Sequence, residues 1–438
     1  MDTTYIKNLK TPIAIIGLGK SGLAALEPLK EFAYAPEQII TYDDRPTSKA
    51  TAQNTYLHCQ SPEQILALSP KTLIVSPGFP LKTDWLQKLV SSGAHLTSEI
   101  NLAASLMSTE KIIGVTGSVG KSTVVSLLGA GAKSFDLHAF IGGNIGIPFC
   151  TYALNIIKGE TRAKWIVLEL SSYQLENCAR LSLDYSIVTY LSANHLERYA
   201  DLEEYYQIKL KITSITKELC LFSKTSKDSE KYSGQALSKT KLISADNFSH
   251  HELLPKVSLL GIHNKDNFAL SAEMALACAW PDSSFVEMAQ YRGLPHRLEF
   301  VAQLSGVTYV NDSKATAMDS VLVAVTACLE NLSPKGNLFL LLGGKDKNLP
   351  WNELATLTIN PQINPVFFGA CGLLAKEKSA LAGEYFEKLG SAINYCQRRA
   401  QADDVVLLSP GGTSLDEFKN FEERGDFFKT LVLSGFEA

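Results

Sequence analysis

The sequence predicts an α/β protein built on parallel sheets, and three observations carry that prediction. Short β-branched runs alternate with helix-length segments along almost the whole chain, the pattern of strands joined by crossover helices. Two glycine-rich turns, Gly17-Leu18-Gly19-Lys20-Ser21-Gly22 and Gly117-Ser118-Val119-Gly120-Lys121-Ser122-Thr123, each follow an apolar run and open a helix-length one. The apolar runs, such as 338–342 and 405–408, are strand-sized and far below membrane-spanning length.

At 438 residues the chain is too long for one ordinary core, so two to four domains are expected. The first unit reads as strand 12–16, helix 22–32, strand 38–42 and strand 72–75. A helix around 85–92 and the Ser98-Glu99-Ile100 stretch close it. The turn ending in Gly-Lys-Ser-Thr starts a second unit, with strands at 165–170 and 185–190. A polar stretch rich in Ser and Lys, 223–249, reads as surface strands and loops with no stable motif. An alanine-rich helix spans 264–279, and Gly293-Leu294-Pro295 interrupts the rhythm as a hinge would. A third unit has strands at 307–310, 338–342, 365–368 and 405–408, with helices between them. No internal repeat or low-complexity tract is visible.

Composition narrows the function. Forty-one Lys and Arg against 45 Asp and Glu give a net charge of −4, which argues against a nucleic-acid surface. Nothing in MDTTYIKNLK has the apolar core of a signal peptide. Eight cysteines are scattered without a CxxC pair, which suits reduced thiols. The expectation is a soluble, cytoplasmic protein that inserts into no membrane and acts as a monomer.

The second glycine turn is a shortened phosphate loop, TGxxGKST. The strict pattern asks for Gly five residues before Gly120, and Val115 stands there. Backbone N–H groups of Gly117, Ser118, Val119, Gly120 and Thr123 can converge on an anion at the helix start. Lys121 would supply a point charge to β/γ-phosphates, and the Ser122 hydroxyl a ligand for Mg²⁺. Glu169 ends the apolar run WIVLEL. A carboxylate there is costly unless it is paired or metal-bound, and its hard oxygens suit Mg²⁺.

The first turn is a GxGxxG fingerprint in the right context, with Asp43 and Asp44 after the next strand. Taken alone it argues for an NAD-dependent oxidoreductase, yet the physics asks only for a pyrophosphate at a helix start and an acid near a sugar or base, which a UDP-sugar meets as well. Ser76-Pro77-Gly78, Gly142-Gly143-Asn144-Ile145-Gly146, Gly343-Gly344-Lys345-Asp346-Lys347 and Ser409-Pro410-Gly411-Gly412-Thr413-Ser414 are further small-residue turns near strand ends. Read singly, each competes with an ordinary loop, and Lys345 and Lys347 with solvated charges.

Taken in order, GVTGSVGKST, LELSSYQLE, NHLERY, GIHNKDN, GLPHRLEFV, NDSKAT and SLDEFKNFEERG resemble the Mur ligases of bacterial peptidoglycan synthesis. The resemblance covers nearly the whole chain, and SSYQLE and the SLDEFKNFEERG tail point to the branch that adds D-glutamate. It implies a Rossmann-like UDP-sugar domain (1–103), a central P-loop-type ATPase domain (104–295) and a C-terminal Rossmann-like amino-acid domain (296–438). It also implies ATP and Mg²⁺, with UDP-N-acetylmuramoyl-L-alanine and D-glutamate as substrates. The first turn then falls to UDP, because a dinucleotide would leave the second nucleotide site unexplained. Rival readings are a Mur or folylpolyglutamate-type ligase for another amino acid, a nucleotide-dependent switch, and an NAD oxidoreductase.

Residue by residue, the resemblance places Lys20, Ser21, Asp43, Asp44, Ser76, Gly78 and Asn144 at the UDP-sugar. Lys121, His195 and Lys209 fall in the catalytic centre, with Ser122 and Glu169 at the metal. Lys209 corresponds to a lysine carried as a carbamate, an added anionic ligand made from CO₂; read alone it would be a surface lysine on an amphipathic helix. Asn264, Asn267, Arg297 and Asp312 match ATP positions, and Thr316, Lys347, Ser414 and Phe421 match D-glutamate positions. Two departures stand out: the family usually has Asn where this chain has Val119, and Asp where it has Asn194.

Overall fold

A computed structural model describes residues 2–44, 55–192, 198–226, 228–257, 259 and 261–434. Among them are three sheets. The first contains β1 (Ile13–Ile16), β2 (Ile39–Tyr42), β3 (Leu57–His58), β4 (Thr72–Val75) and β5 (His95–Thr97), in the order β3-β2-β1-β4-β5, parallel throughout. The second contains β6 (Lys111–Thr116), β7 (Phe140–Gly143), β8 (Trp165–Glu169), β9 (Leu183–Val188), β10 (Thr216–Ser223) and β11 (Thr240–Ile243), in the order β11-β10-β9-β6-β8-β7, also parallel. The third contains β12 (Glu299–Leu304), β13 (Val307–Asn311), β14 (Leu338–Gly343), β15 (Ile363–Phe368), β16 (Glu384–Phe386) and β17 (Val405–Gly411). Its order is β12-β13-β17-β14-β15-β16, with only the edge pair β12–β13 antiparallel.

The apolar runs become central strands because both faces are covered. In β1, Ile13 and Ile15 join one hydrophobic cluster and Ala14 and Ile16 another. The third sheet repeats this: Leu338, Leu340 and Leu342 pack on one side, Phe339 and Leu341 on the other. Each such side chain contributes roughly 1.5–3 kcal/mol by leaving water, which is why strands buried on two faces read as continuous apolar runs.

The described residues divide into two compact units. One is Met1–Leu254 with Asp266–Ala289, and the other is Pro255–Lys265 with Gln290–Ala438. The first carries the first two sheets, the second the third sheet.

Several elements differ from the sequence reading. The helix expected over 22–32 runs Lys20–Glu31, which puts Lys20 and Ser21 in its first turn. The 264–279 helix runs Ile262–Ala277. The polar stretch 223–249 contains a short helix, Ser229–Ser233, and β11. Strands β3, β5, β7 and β16 have two to four residues, too short for a period-two pattern to stand out. The eight cysteines are free thiols, seven of them buried. No helix among the described residues is long and apolar enough to cross a membrane.

Candidate active site

The phosphate loop grows out of β6, whose last five residues are buried. Gly117 leaves the strand at φ +142°, and a Cβ there would lie 2.0 Å from Thr189 Oγ1. Only glycine can make that exit. Thr189 Oγ1 donates to the Val119 carbonyl (2.6 Å), and the N–H groups of Ser118 and Val119 donate to the Tyr190 carbonyl (2.9 and 3.2 Å). Ser118 Oγ donates to the Ser192 carbonyl (2.7 Å) and lies 3.2 Å from the Tyr205 hydroxyl. The loop is thereby pinned to the chain that follows β9, and the Ser118 and Val119 amides, expected from the sequence to face an anion, are instead engaged by the Tyr190 carbonyl.

The helix Lys121–Lys133 begins at Gly120, and no side chain caps it. Its first N–H groups therefore have no intrahelical acceptor, the arrangement that receives anions. Three helices of this unit are closed by their own residues: Ser98 caps Glu99–Ala104, Ser171 and Gln174 form a capping box, and Asp201 caps Leu202–Ser214; others, among them Lys20–Glu31, start without a side-chain cap as this one does.

Around that start stands a charged cluster. Lys121 Nζ donates to the carbonyls of Gly117 and Ser118 (2.8 and 2.9 Å). Glu169, at the end of β8 and 3% exposed, accepts from Ser122 Oγ and from Asn144 Nδ2, both at 2.7 Å. Lys209, 2% exposed, donates from Nζ to the Gly117 carbonyl (2.8 Å) and lies 4.5 Å from the Tyr205 ring centroid. Burial, and then the positive charge of Lys121, lower the Lys209 amine to about 6, while Glu169 opposes the shift. That shift favours the uncharged, nucleophilic form of the amine.

Among the described residues no three His, Cys, Asp or Glu side chains gather as a metal cluster. The donors present still fit Mg²⁺, which takes one or two carboxylates and completes its shell with water and substrate phosphates. Glu169 and Ser122 are such a set. His195, with Asn194, lies outside the described residues.

A cavity of about 450 Å³ opens in the same unit, between the ends of the first two sheets. Lys20, Ser21, Asp44, Ser76 and Gly78 line it from the first sheet, and Asn144 from the second. Asp43 works from behind: its carboxylate accepts the Leu18 N–H at 2.7 Å and holds the glycine turn. Ser76 Oγ donates to the Gly17 carbonyl (2.6 Å) and braces the same turn. Asn144 joins the two places, since it lines the cavity and binds Glu169.

Asn264 and Asn267 sit one turn apart on the Ile262–Ala277 helix, each 7% exposed. In the second unit, Asp312 is held by Ser409 Oγ (2.9 Å) and the Leu298 N–H (3.1 Å). Burial raises its carboxyl to about 7, against the pull of those bonds and of Arg297. The exposed Arg297 lies between His296 and Leu298, both at positive φ. The Gly411 N–H donates to the Ala315 carbonyl, and Lys345 pairs with Thr413. The turns bearing Thr316, Lys347 and Ser414 thus gather at one end of the third sheet. Lys314 Nζ lies 5.0 Å from the Phe421 ring centroid.

Four residues were not singled out from the sequence. Tyr173 and Gln174 line the cavity. Tyr205 sits one helical turn before Lys209, a spacing that flags it once Lys209 is known. Arg424, fully buried, donates to Ser313 Oγ, the Ser313 carbonyl and the Gly412 carbonyl (2.9, 2.7 and 3.1 Å). Nothing local in the sequence marks it as buried.

The chain matches two family models: the MurD-like N-terminal domain of Mur ligases over residues 11–98 and the Mur ligase middle domain over 115–242. It is 35% identical to the UDP-N-acetylmuramoylalanine–D-glutamate ligase of Haemophilus influenzae (strain 86-028NP), across 96% of this chain and 97% of that protein. It is 34% identical to the ligase of the same name from Pasteurella multocida, across 99% of both. Among solved structures it resembles the MurF ligase of Thermotoga maritima in complex with ADP (TM-score 0.59, 16% identity, 98% of this chain and 97% of that one). It also resembles the UDP-N-acetylmuramate-alanine ligase MurC of the same organism (TM-score 0.55, 14% identity, 97% and 100%). With a relative this similar over almost its full length, and with these folds, the chain belongs to the Mur ligase family.

Proposed function

We propose that the chain joins D-glutamate to UDP-N-acetylmuramoyl-L-alanine at the expense of ATP, in peptidoglycan precursor synthesis. The observation that carries this reading is the junction at Glu169. Ser122 of the phosphate loop and Asn144 of the cavity wall both donate to that one carboxylate. A nucleotide on the loop and a UDP-sugar in the cavity would therefore meet at Glu169.

The chemistry follows from what a carboxylate lacks. Its oxide is a hopeless leaving group and its charge repels an amine. Transfer of the γ-phosphoryl group to the alanine carboxylate cures both faults; the amine of D-glutamate then attacks the acyl phosphate, and phosphate leaves through a tetrahedral intermediate. The first step depends on positioning and charge neutralisation. Lys121 and the uncapped helix start take the β/γ-phosphates. Ser122 and Glu169 would hold Mg²⁺, which supplies charge to the transferring phosphoryl oxygens.

Lys209 is proposed to be a carbamate in the working enzyme. Its buried, uncharged amine is the form that adds CO₂, and the product would be a second anionic ligand beside Glu169. His195 is proposed to stand near metal and substrate. Asn264, Asn267, Arg297 and Asp312 are proposed for ATP, and Thr316, Lys347, Ser414 and Phe421 for D-glutamate. The division into 1–103, 104–295 and 296–438 belongs to this reading, with closure about Gly293–Pro295 excluding water from the acyl phosphate.

The test is phosphate release with ATP, Mg²⁺ and UDP-N-acetylmuramoyl-L-alanine, offering D-glutamate, L-glutamate and L-lysine side by side. Phosphate is expected in proportion to new amide with D-glutamate alone. Equal turnover with L-lysine, or none with D-glutamate, overturns the assignment.

A further inference from the structure

Arg198 and Glu176 form a largely enclosed pair that the proposed reaction does not use. Their side chains are 11% and 13% exposed. Arg198 Nη2 and Nε meet Glu176 Oε2 and Oε1 at 2.8 and 3.3 Å, a two-pronged contact. The same guanidinium donates to the carbonyls of Gly78 (3.3 Å) and Phe79 (3.2 Å), and it lies 4.2 Å from the Tyr173 ring centroid. Tyr199 steadies the acid by donating its hydroxyl to Glu176 Oε1 at 2.7 Å.

These partners belong to two facing walls. Ser76, Gly78 and Phe79 line the cavity from the first sheet; Tyr173 and Gln174 line it from the helix that ends beside Glu176. Arg198 holds the first wall by main-chain carbonyls and the second by a carboxylate and a ring. A planar fork can make all these contacts at once, and a lysine cannot. Another tie across the seam, Lys82 to Glu204 at 2.6 Å, involves a lysine side chain that is 83% exposed, and such pairs hold little.

We infer that Arg198, braced by Glu176, is a positioning residue that sets the spacing of the two walls and so the grip on the UDP-sugar. It does not touch the reacting atoms. The inference rests on reading the cavity as the UDP-sugar site.

The test compares Arg198→Met, Arg198→Lys and Glu176→Gln with the parent protein, by steady-state kinetics and by direct calorimetric binding of UDP. Arg198→Met is expected to raise KM for the UDP-sugar roughly tenfold and to weaken UDP by a similar factor. KM for ATP should move less than twofold. Arg198→Lys should recover part of the loss, and Glu176→Gln should fall between. An unchanged KM and UDP affinity in Arg198→Met overturns the inference, as do equal shifts in both substrates' KM accompanied by a lowered Tm, the mark of a merely structural brace. Should Arg198→Met fail to fold, Glu176→Gln and Arg198→Lys decide by the same criteria. UDP binding is read without turnover, so a parent protein that binds UDP and makes no amide sinks the ligase reading separately.

Discussion

The two glycine turns of the first compact unit share a geometry and differ in charge. Each follows a buried parallel strand, and each opens a helix whose start no side chain caps. At Gly117–Lys121 the surroundings are ionic: Lys121 folds over the loop, Lys209 reaches the same Gly117 carbonyl, and Glu169 faces Ser122. At Gly17–Gly22 the braces are Asp43 on a backbone N–H and Ser76 on a carbonyl, while Lys20 is exposed. A strand-turn-helix unit offers helix-start amides in both places; on the function proposed above, buried charge is added where a phosphoryl group would move. Holding a pyrophosphate needs shape, whereas transferring a phosphoryl group needs compensating charge.

Removing Lys121 tests this contrast most severely. Lys121→Ala should lower kcat for amide formation about a thousandfold or more while leaving UDP affinity at the parent value. A loss below tenfold, read by phosphate release, would mean that the loop amides alone carry the transfer. Lys209→Ala comes next, with an expected loss of about a hundredfold. Parent activity should also fall when dissolved CO₂ is stripped and return with bicarbonate, and mass analysis should find the added CO₂ at Lys209. Full activity in Lys209→Ala would exclude an essential carbamate.

Away from the phosphate loop, burial favours the discharged form of one acid, Glu99. It is fully enclosed and accepts the Cys150 N–H, and burial raises its carboxyl from 4.5 to about 7. The folded state thus binds this proton more tightly than the unfolded chain. The associated stabilisation is complete below about pH 4.5 and is lost as pH rises through about 7. Glu99→Gln keeps an acceptor for Cys150 and has no charge to bury. It should match the parent at pH 5 and exceed it by about 2 kcal/mol at pH 8, measured by urea denaturation at both pH values. A difference independent of pH would show that Glu99 stays ionised in the fold.

Much of this was legible in the sequence because the signals are local. The phosphate loop, the Gly17 turn and the long strands announce themselves in runs of five to ten residues, and the structure has them as β1, β6, β14 and β17 with their turns. What escaped is long-range. Strand β12 pairs antiparallel at an edge, a choice made by its neighbour β13. Arg424 is buried only because turns 111 and 12 residues away bring carbonyls and a hydroxyl to its fork. Lys209 reads as a surface lysine until Tyr205 and the Gly117 carbonyl enclose it. Partners, not spacing, decide such side chains.

The mildest perturbation asks whether the two turns can be disturbed independently. Gly17 sits at φ +85°, and a Cβ there would lie 2.8 Å from Ser76 Cβ. Gly17→Ala must therefore shift the Ser76-Pro77-Gly78 wall by several tenths of an ångström or distort its own backbone, at a cost of order 1–3 kcal/mol. Because Ser76 lines the cavity, that shift should appear as a rise of about fivefold in KM for the UDP-sugar. The Gly17 turn is held by Asp43 and Ser76, and the Gly117 loop by Thr189, Tyr190 and Ser192, so KM for ATP should stay within twofold. Gly117→Ala, which drives a Cβ onto Thr189 Oγ1, should reverse the pattern and weaken ATP instead. If each variant disturbs both substrates equally, the turns are coupled through Asn144 and Glu169, and the division between a holding site with exposed charges and a transfer site with buried ones gives way to a single cooperative one.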